Sequence, residues 1–278
     1  MNGIAFLKMH GLGNDFVIID ARDHDIPLSP DAIRLIADRR LGVGCDQFIR
    51  MEPSQNGDVF MRIWNPDGSA AEACGNATRW VARLVMDETG REKVDVETVA
   101  GILASRQNGS GHVTVDMGGA RLGWREIPLA QEADTTSVDL GREAPVRAVC
   151  VNIGNPHAVL FVPDCDAIDL ATTGAALENS AMLPERANIS FCTVEAPNKI
   201  RARVWERSAG ATLACGSAAC AIAVAGVRAG LTERSVTVAL PGGNLDLEWR
   251  DDGHVLMAGP TALAYAGTLA PELAACDA

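Results

Sequence analysis

The chain has 278 residues, 47% of them hydrophobic and only 4% aromatic, enough apolar material for two buried cores, each in a lobe of roughly 110–150 residues. Its net charge of −12 argues against nucleic-acid binding, which leaves a basic footprint. No apolar run reaches the ~18 residues that cross a bilayer. The opening Met1-Asn2-Gly3-Ile4 has neither the basic nor the apolar region of a secretory leader, so a soluble, cytoplasmic protein with no membrane partner is expected.

In chain order, residues 4–20 hold apolar clusters on either side of the turn-like Gly11-Leu12-Gly13-Asn14. Ser29-Pro30-Asp31 opens a helix, with Ser29 as N-cap and Pro30 at the first helical position. Ile33, Leu35 and Ile36 mark its buried face, and Gly42 is expected to end it. The β-branched and aromatic content of 59–64 predicts a strand, followed by the turn Asn65-Pro66-Asp67-Gly68. A helix begins near Gly75-Asn76 with Val81, Leu84 and Val85 at helical spacing, and 94–99 and 112–117 alternate as strands. The second half repeats the order: strands at 158–162 and 201–205, a helix at 216–228, and strands at 236–240 and 255–257.

The repeat is also one of sequence. Trp64, Cys74 and Gly75 recur 141 residues later as Trp205, Cys215 and Gly216. The same offset relates Gly13-Asn14 to Gly154-Asn155 and Gln47 to Asn188. The fold class is therefore α+β: two pseudo-symmetric lobes from an internal duplication, each with mixed strands around a central helix. The lobes are expected at 1–118 and 119–261, with 262–278 returning to the first.

Duplication singles out two of the eight cysteines. Cys74 and Cys215 each precede a glycine at a helix start, where unpaired N–H groups and the helix dipole favour a thiolate. The amides that follow, at Gly75-Asn76 and Gly216-Ser217, can hold a carboxylate. Halves facing each other would bring one thiol to either side of a carbon centre, the requirement for removing a proton from one face and returning it on the other. Cys150, Cys165, Cys192 and Cys220 read as small buried hydrophobes, Cys45 faces Arg186 across the repeat, and Cys276 lies in a frayed tail. No Cys-x-x-Cys pair supports a metal site. Three lysines outside any phosphate-binding context, and no nucleotide motif, give no support for a cofactor.

Polar residues at or beside the repeated turns complete a candidate pocket: Asn14, Gln47, Asn65, Asn155, Asn188, Glu206 and Arg207. Arg207 suits bidentate carboxylate binding, and Glu206 can receive an ammonium. His157 could poise one thiol as its ion-pair partner, with Glu206 doing the same for the other. His10, His24, His112 and His254 are given no role.

The chain resembles the diaminopimelate epimerases over nearly its whole length. The resemblance is carried by 8–16 (Lys-Met-His-Gly-Leu-Gly-Asn-Asp-Phe), Gly44-Cys45-Asp46-Gln47, Asn65-Pro66-Asp67-Gly68-Ser69 and Ala73-Cys74-Gly75-Asn76. In the second half it rests on Gly154-Asn155-Pro156-His157, Glu206-Arg207 and Ala214-Cys215-Gly216-Ser217. It implies a cofactor-independent two-base racemase acting on LL- and meso-diaminopimelate for lysine and peptidoglycan precursor synthesis. Cys74 and Cys215 would be the acid/base pair. Gly75, Asn76, Gly216 and Ser217, with Asn14 and Gln47, would bind the reacting end of the substrate. Asn65, Asn155, Asn188, Glu206 and Arg207 would grip the distal end, and Tyr265 matches a homodimer contact. The chain departs from the usual family pattern at Ala77, Trp80, Ser208 and Ala211. Two alternatives stay open: a histidine- or proline-type racemase of the same fold, and a non-catalytic amino-acid binding protein. Arg207 and the asparagines favour a substrate with a second amino-acid head, and binding alone requires no thiol pair.

Overall fold

A computed structural model describes residues 3–71, 74–108 and 112–274; Ala73 and Cys276 lie outside the described residues. The chain divides into two compact units, Met1–Val115 with Gly259–Ala278, and Asp116–Ala258.

In chain order the elements are β1 (Ala5–Gly11), β2 (Asn14–Asp20), α1 (Pro30–Ala37), β3 (Gln47–Glu52), β4 (Val59–Trp64), β5 (Ala70–Ala71), α2 (Gly75–Thr89), β6 (Lys93–Thr98), β7 (Gly101–Gln107) and β8 (Val113–Gly119). There follow β9 (Val149–Asn152), β10 (Pro156–Phe161), α3 (Leu170–Glu178), β11 (Asn188–Ala196), β12 (Lys199–Glu206), β13 (Gly210–Thr212), α4 (Gly216–Arg228), β14 (Ser235–Leu240), β15 (Gly243–Trp249) and β16 (His254–Gly259). Last come β17 (Ala262–Thr268) and the single turn α5 (Pro271–Ala274).

In the first unit β1 pairs antiparallel with β2, β2 parallel with β3, and β3 antiparallel with β4; β4 then takes β5 antiparallel and β6 parallel, and β6 takes β7. In the second unit β9 to β15 repeat every one of these pairings in the same sense. The register repeats as well. Phe16 faces Gln47 in the first unit and His157 faces Asn188 in the second; Phe48 faces Trp64, and Ile189 faces Trp205. β17 has its own place, antiparallel against β1.

The central helices are buried because strands wrap them. α2 is buried at every position from Gly75 to Ala82, and α4 at every position from Ala218 to Gly226. α4 is apolar all round, which fits a helix with no solvent face. Its alanines let strands approach closely without large side chains. Gly13 and Gly154, equivalent in the repeat, adopt left-handed φ values of 86° and 85° that an L side chain would strain. These bends deliver Asn14 and Asn155 to the ends of β2 and β10.

α1 has the predicted cap, Ser29 accepting from Ala32 N at 3.2 Å, but it ends at Asp38 rather than Gly42. Asp38 turns extended, and the chain folds back over the helix end. A Cβ on Gly42 would lie 2.0 Å from the Leu35 carbonyl, so this glycine serves a close approach instead of a cap. α3 is absent from the sequence-based expectations. Its start signal is Asp169, which accepts from Thr172 N at 3.3 Å, and a Thr- and Gly-containing stretch obscures the helical period. No helix among the described residues is long and apolar enough to cross a membrane.

Candidate active site

Both cysteines sit where the repeat places them, at the N-caps of α2 and α4 in extended conformation, and neither side chain caps its helix. The helix starts thus present backbone N–H groups beside each thiol, and in α4 the Ala218 N–H is directed at the Cys215 sulfur.

Around Cys74 the first unit builds a polar chain. Asn14 Oδ1 lies 3.9 Å from the Cys74 Sγ and accepts from Asn76 Nδ2 at 3.1 Å. Asn14 Nδ2 donates to Asp46 Oδ2 at 3.1 Å, which fixes the amide with its oxygen towards the thiol. Behind it Asp46 and Asp15 accept from each other's backbone N–H, and Arg39 pairs with both. Lys8 donates to Asp15 at 2.5 Å and to the Gly44 carbonyl. Burial raises the Asp15 pKa, but Arg39 and Lys8 outweigh it and hold the carboxyl well below its usual range. Fully buried Arg79 donates to Asn76 Oδ1 at 2.9 Å. None of Lys8, Asp15, Arg39, Asp46 and Arg79 was expected in the site. The available signal was a charge embedded in an otherwise apolar or turn segment.

Gln47 is partly exposed, and its Oε1 is buried with no hydrogen-bond partner among the described residues. Asn65, by contrast, spends its amide within its own turn, donating to Ser69 Oγ at 3.1 Å.

Around Cys215 the second unit differs. Cys215 is 6% exposed, hydrogen-bonds Glu206, and lies 3.6 Å from Ser217 Oγ. Thr212 Oγ1 donates to Glu206 Oε1 at 2.5 Å. Burial first, and Glu206 second, push the Cys215 thiol well above its ordinary range. The expectation that the helix end leaves Cys215 a thiolate is thereby corrected: desolvation outweighs the helix dipole, and the group rests as a thiol facing a carboxylate.

His157 is fully buried, hydrogen-bonds Asn155 Oδ1 through Nε2 at 2.8 Å, and leaves Nδ1 with no partner among the described residues. Burial, with Arg207 adding, lowers its pKa from 6.5 to about 3. An imidazolium ion-pair partner for a thiol is thus excluded near neutral pH; the ring is a neutral donor and acceptor. The linkage has a sign. Below pH 6.5 the unfolded chain takes up a proton that the folded chain refuses until about pH 3. The contribution to stability is full above 6.5 and is lost on acidification at up to ~1.4 kcal/mol per pH unit. Chemical denaturation of the His157→Gln variant will give a flatter loss of stability between pH 7 and 5 than wild type, by about 2 kcal/mol at pH 5. Parallel curves would show that the imidazole is not held neutral.

Asn188 is committed to the scaffold: its Oδ1 accepts from Arg207 N at 2.8 Å and its Nδ2 donates to the Pro156 carbonyl at 3.4 Å. Asn155 and Arg207 come together in a cavity of about 330 Å³ in the second unit, beside Arg125, Glu126, Asn152 and Glu185. A larger cavity of about 500 Å³ in the same unit, lined by parts of 131–147 and 180–182, contains none of the predicted site residues. Tyr265 is 48% exposed on β17, edge-on to Phe6 with ring centroids 6.0 Å apart. Cys45 and Cys150 are pushed up to about 12 by burial, and Cys192 well above its usual value, as structural thiols should be.

The sequence profile of diaminopimelate epimerase matches residues 6–123 and 149–264. The chain belongs to the diaminopimelate epimerase family. It is 56% identical to the diaminopimelate epimerase of Rhodospirillum centenum over 270 residues, covering 96% of this chain and 93% of that one. With the enzyme of Acidiphilium cryptum it shares 52% identity, covering 95% of each. Among solved structures, a phenazine biosynthesis protein of the PhzF family from Bacillus anthracis superposes with a TM-score of 0.68 at 16% identity, over 96% of this chain and 99% of that one. A probable proline racemase from Agrobacterium radiobacter superposes with a TM-score of 0.68 at 14% identity, over 98% and 95%. Those likenesses concern the fold alone. Family membership makes this chain an isomerase. Residues 124–148, between the two matched segments, supply Ile127, Leu129, Val138 and Leu140 to the core of the second unit, where they pack with Phe191.

Proposed function

We propose that this protein interconverts LL- and meso-diaminopimelate without a cofactor, using Cys74 and Cys215 as the proton-transferring pair. The observation that carries the reading is the paired placement of the two thiols at uncapped helix N-termini, in a chain of this family. Abstraction of an α-proton leaves a carbanion whose charge spreads into the adjoining carboxylate. Amides at Gly75-Asn76 and Gly216-Ser217 would stabilise that charge as it develops. In one direction a thiolate removes the proton while the other thiol supplies one to the opposite face; in reverse the roles exchange. Glu206 serves as the acceptor that draws the Cys215 proton away, and neutral His157 holds the Asn155 amide. Gln47 Oε1 is an acceptor for the reacting end of the substrate. Arg207 and Asn155 bind the distal amino-acid head, with Asn188 setting the Arg207 backbone. Asn65 offers that head its remaining amide oxygen. Homodimerisation through the Tyr265 face and a cytoplasmic location complete the proposal.

Incubation with LL-diaminopimelate in deuterated water, without added cofactor, will yield meso product carrying one deuterium at the inverted carbon. Mass spectrometry with stereochemical resolution checks it. Product retaining the original hydrogen, or no product, would refute the two-base reading.

A further inference from the structure

The turn that carries Glu206 and Arg207 is held from outside by a residue with no assigned part in the reaction. Glu178 ends α3, and its side chain is 8% exposed. It accepts from Trp205 Nε1 at 2.8 Å, immediately before the turn, and from Ser208 N at 3.0 Å, inside it. Arg186 pairs with it at 3.3 Å. Ser208 has φ +66°, a left-handed conformation that a non-glycine residue adopts at a cost, and its N–H donates to the carboxylate. The neighbouring amide, Arg207 N, is taken by Asn188 Oδ1. Successive backbone N–H groups are thus fixed by side-chain oxygens from two other elements.

The first unit holds its turn without a carboxylate from outside. The repeat sets Ala37 where Glu178 stands; the equivalent turn bonds within itself, Asp67 accepting from Ser69 N at 2.9 Å and Asn65 N donating to the Ser69 carbonyl at 2.8 Å, and α1 reaches it with a cation, Arg34 Nη1 donating to the Asp67 carbonyl at 3.1 Å. The added carboxylate therefore occurs in the unit whose turn bears two ionisable groups. We propose that Glu178 is a positioning residue for epimerisation: it clamps the 206–209 turn so that Glu206 stays against Cys215 and Arg207 stays at the cavity mouth. This rests on the reading of Glu206 and Arg207 as active-site groups.

A double-mutant cycle in kcat and KM tests it. In the otherwise native full chain, Glu178→Ala will lower kcat/KM roughly 10–100-fold, through both a lower kcat and a higher KM, because an ångström of misplacement costs that order of rate. Glu178→Gln keeps one acceptor oxygen and will recover most of the loss. In a Glu206→Gln background, Glu178→Ala will lower kcat less than about threefold further, since the group it positions has lost its function. A general structural role would lower kcat by the same factor in either background. That result, or wild-type kcat and KM in Glu178→Ala, overturns the clamp. Should Glu178→Ala fail to fold, Glu178→Gln runs the same cycle with a smaller expected loss. Cys215→Ala separates the two levels: full activity there sinks the active-site reading, whereas an inactive Cys215→Ala beside an unaffected Glu178→Ala sinks only the clamp.

Discussion

Replacing either Cys74 or Cys215 by alanine will reduce inversion of diaminopimelate at least ~10³-fold while leaving the fold intact. On the proposed two-base reading each change removes one of two proton-transfer groups, and inversion needs both within one turnover. The double variant will be little worse than either single one, because groups acting as a unit are not additive. The singles differ in a way that identifies the mechanism. A protein lacking one thiol can still exchange the α-proton of the epimer that faces the surviving thiol, but cannot return a proton on the other side. Slow deuterium uptake without inversion, from opposite epimers in the two variants, is the expected pattern. Stereochemically resolved mass spectrometry reads it, with circular dichroism as the check on folding. Undiminished inversion in either variant would end the two-base account.

Glu206→Gln will lower kcat by about 10²–10³-fold and change KM by less than about tenfold. Cys215 is buried and rests as a thiol, so in the proposed transfer its proton needs an acceptor, and Glu206, hydrogen-bonded to it, is a carboxylate that can take one. Glutamine keeps the size and the acceptor oxygen that Thr212 addresses, but the amide cannot take up a proton. The sequence assigned Glu206 two roles, base partner and receiver of an ammonium. Steady-state kinetics separates them, since loss of an ammonium contact raises KM, while loss of the base lowers kcat. An unchanged kcat would remove Glu206 from the proton path.

Much of the architecture was legible because it is periodic. The 141-residue offset between Cys74 and Cys215 became a strand-by-strand repeat, down to the facing of Phe16 with Gln47 and His157 with Asn188. The Ser29 cap was read correctly because capping is a local interaction. Gly42 misled because a helix terminator and a close-approach glycine look the same in one dimension. Asn188 and Asn65 were expected at the substrate; folding also gives Asn188 the Arg207 amide and the Pro156 carbonyl, and Asn65 the Ser69 hydroxyl, partners that sequence spacing did not announce. Glu178 went unnoticed because its partners at 186, 205 and 208 are brought to it by folding alone.

By itself the sequence determined the duplication, the placing of both thiols at helix starts and the family, all of which depend on the order and spacing of residues. The tertiary structure decided the protonation of Cys215 and His157. Cys74 and Cys215 share a local motif, but Cys215 is buried against Glu206 and rests as a thiol; His157 reads as a titratable imidazole, but is buried to neutrality. Desolvation and the distance to a neighbouring charge belong to the packed interior, so a thiol or imidazole named by its motif acquires its protonation behaviour only once the chain has folded.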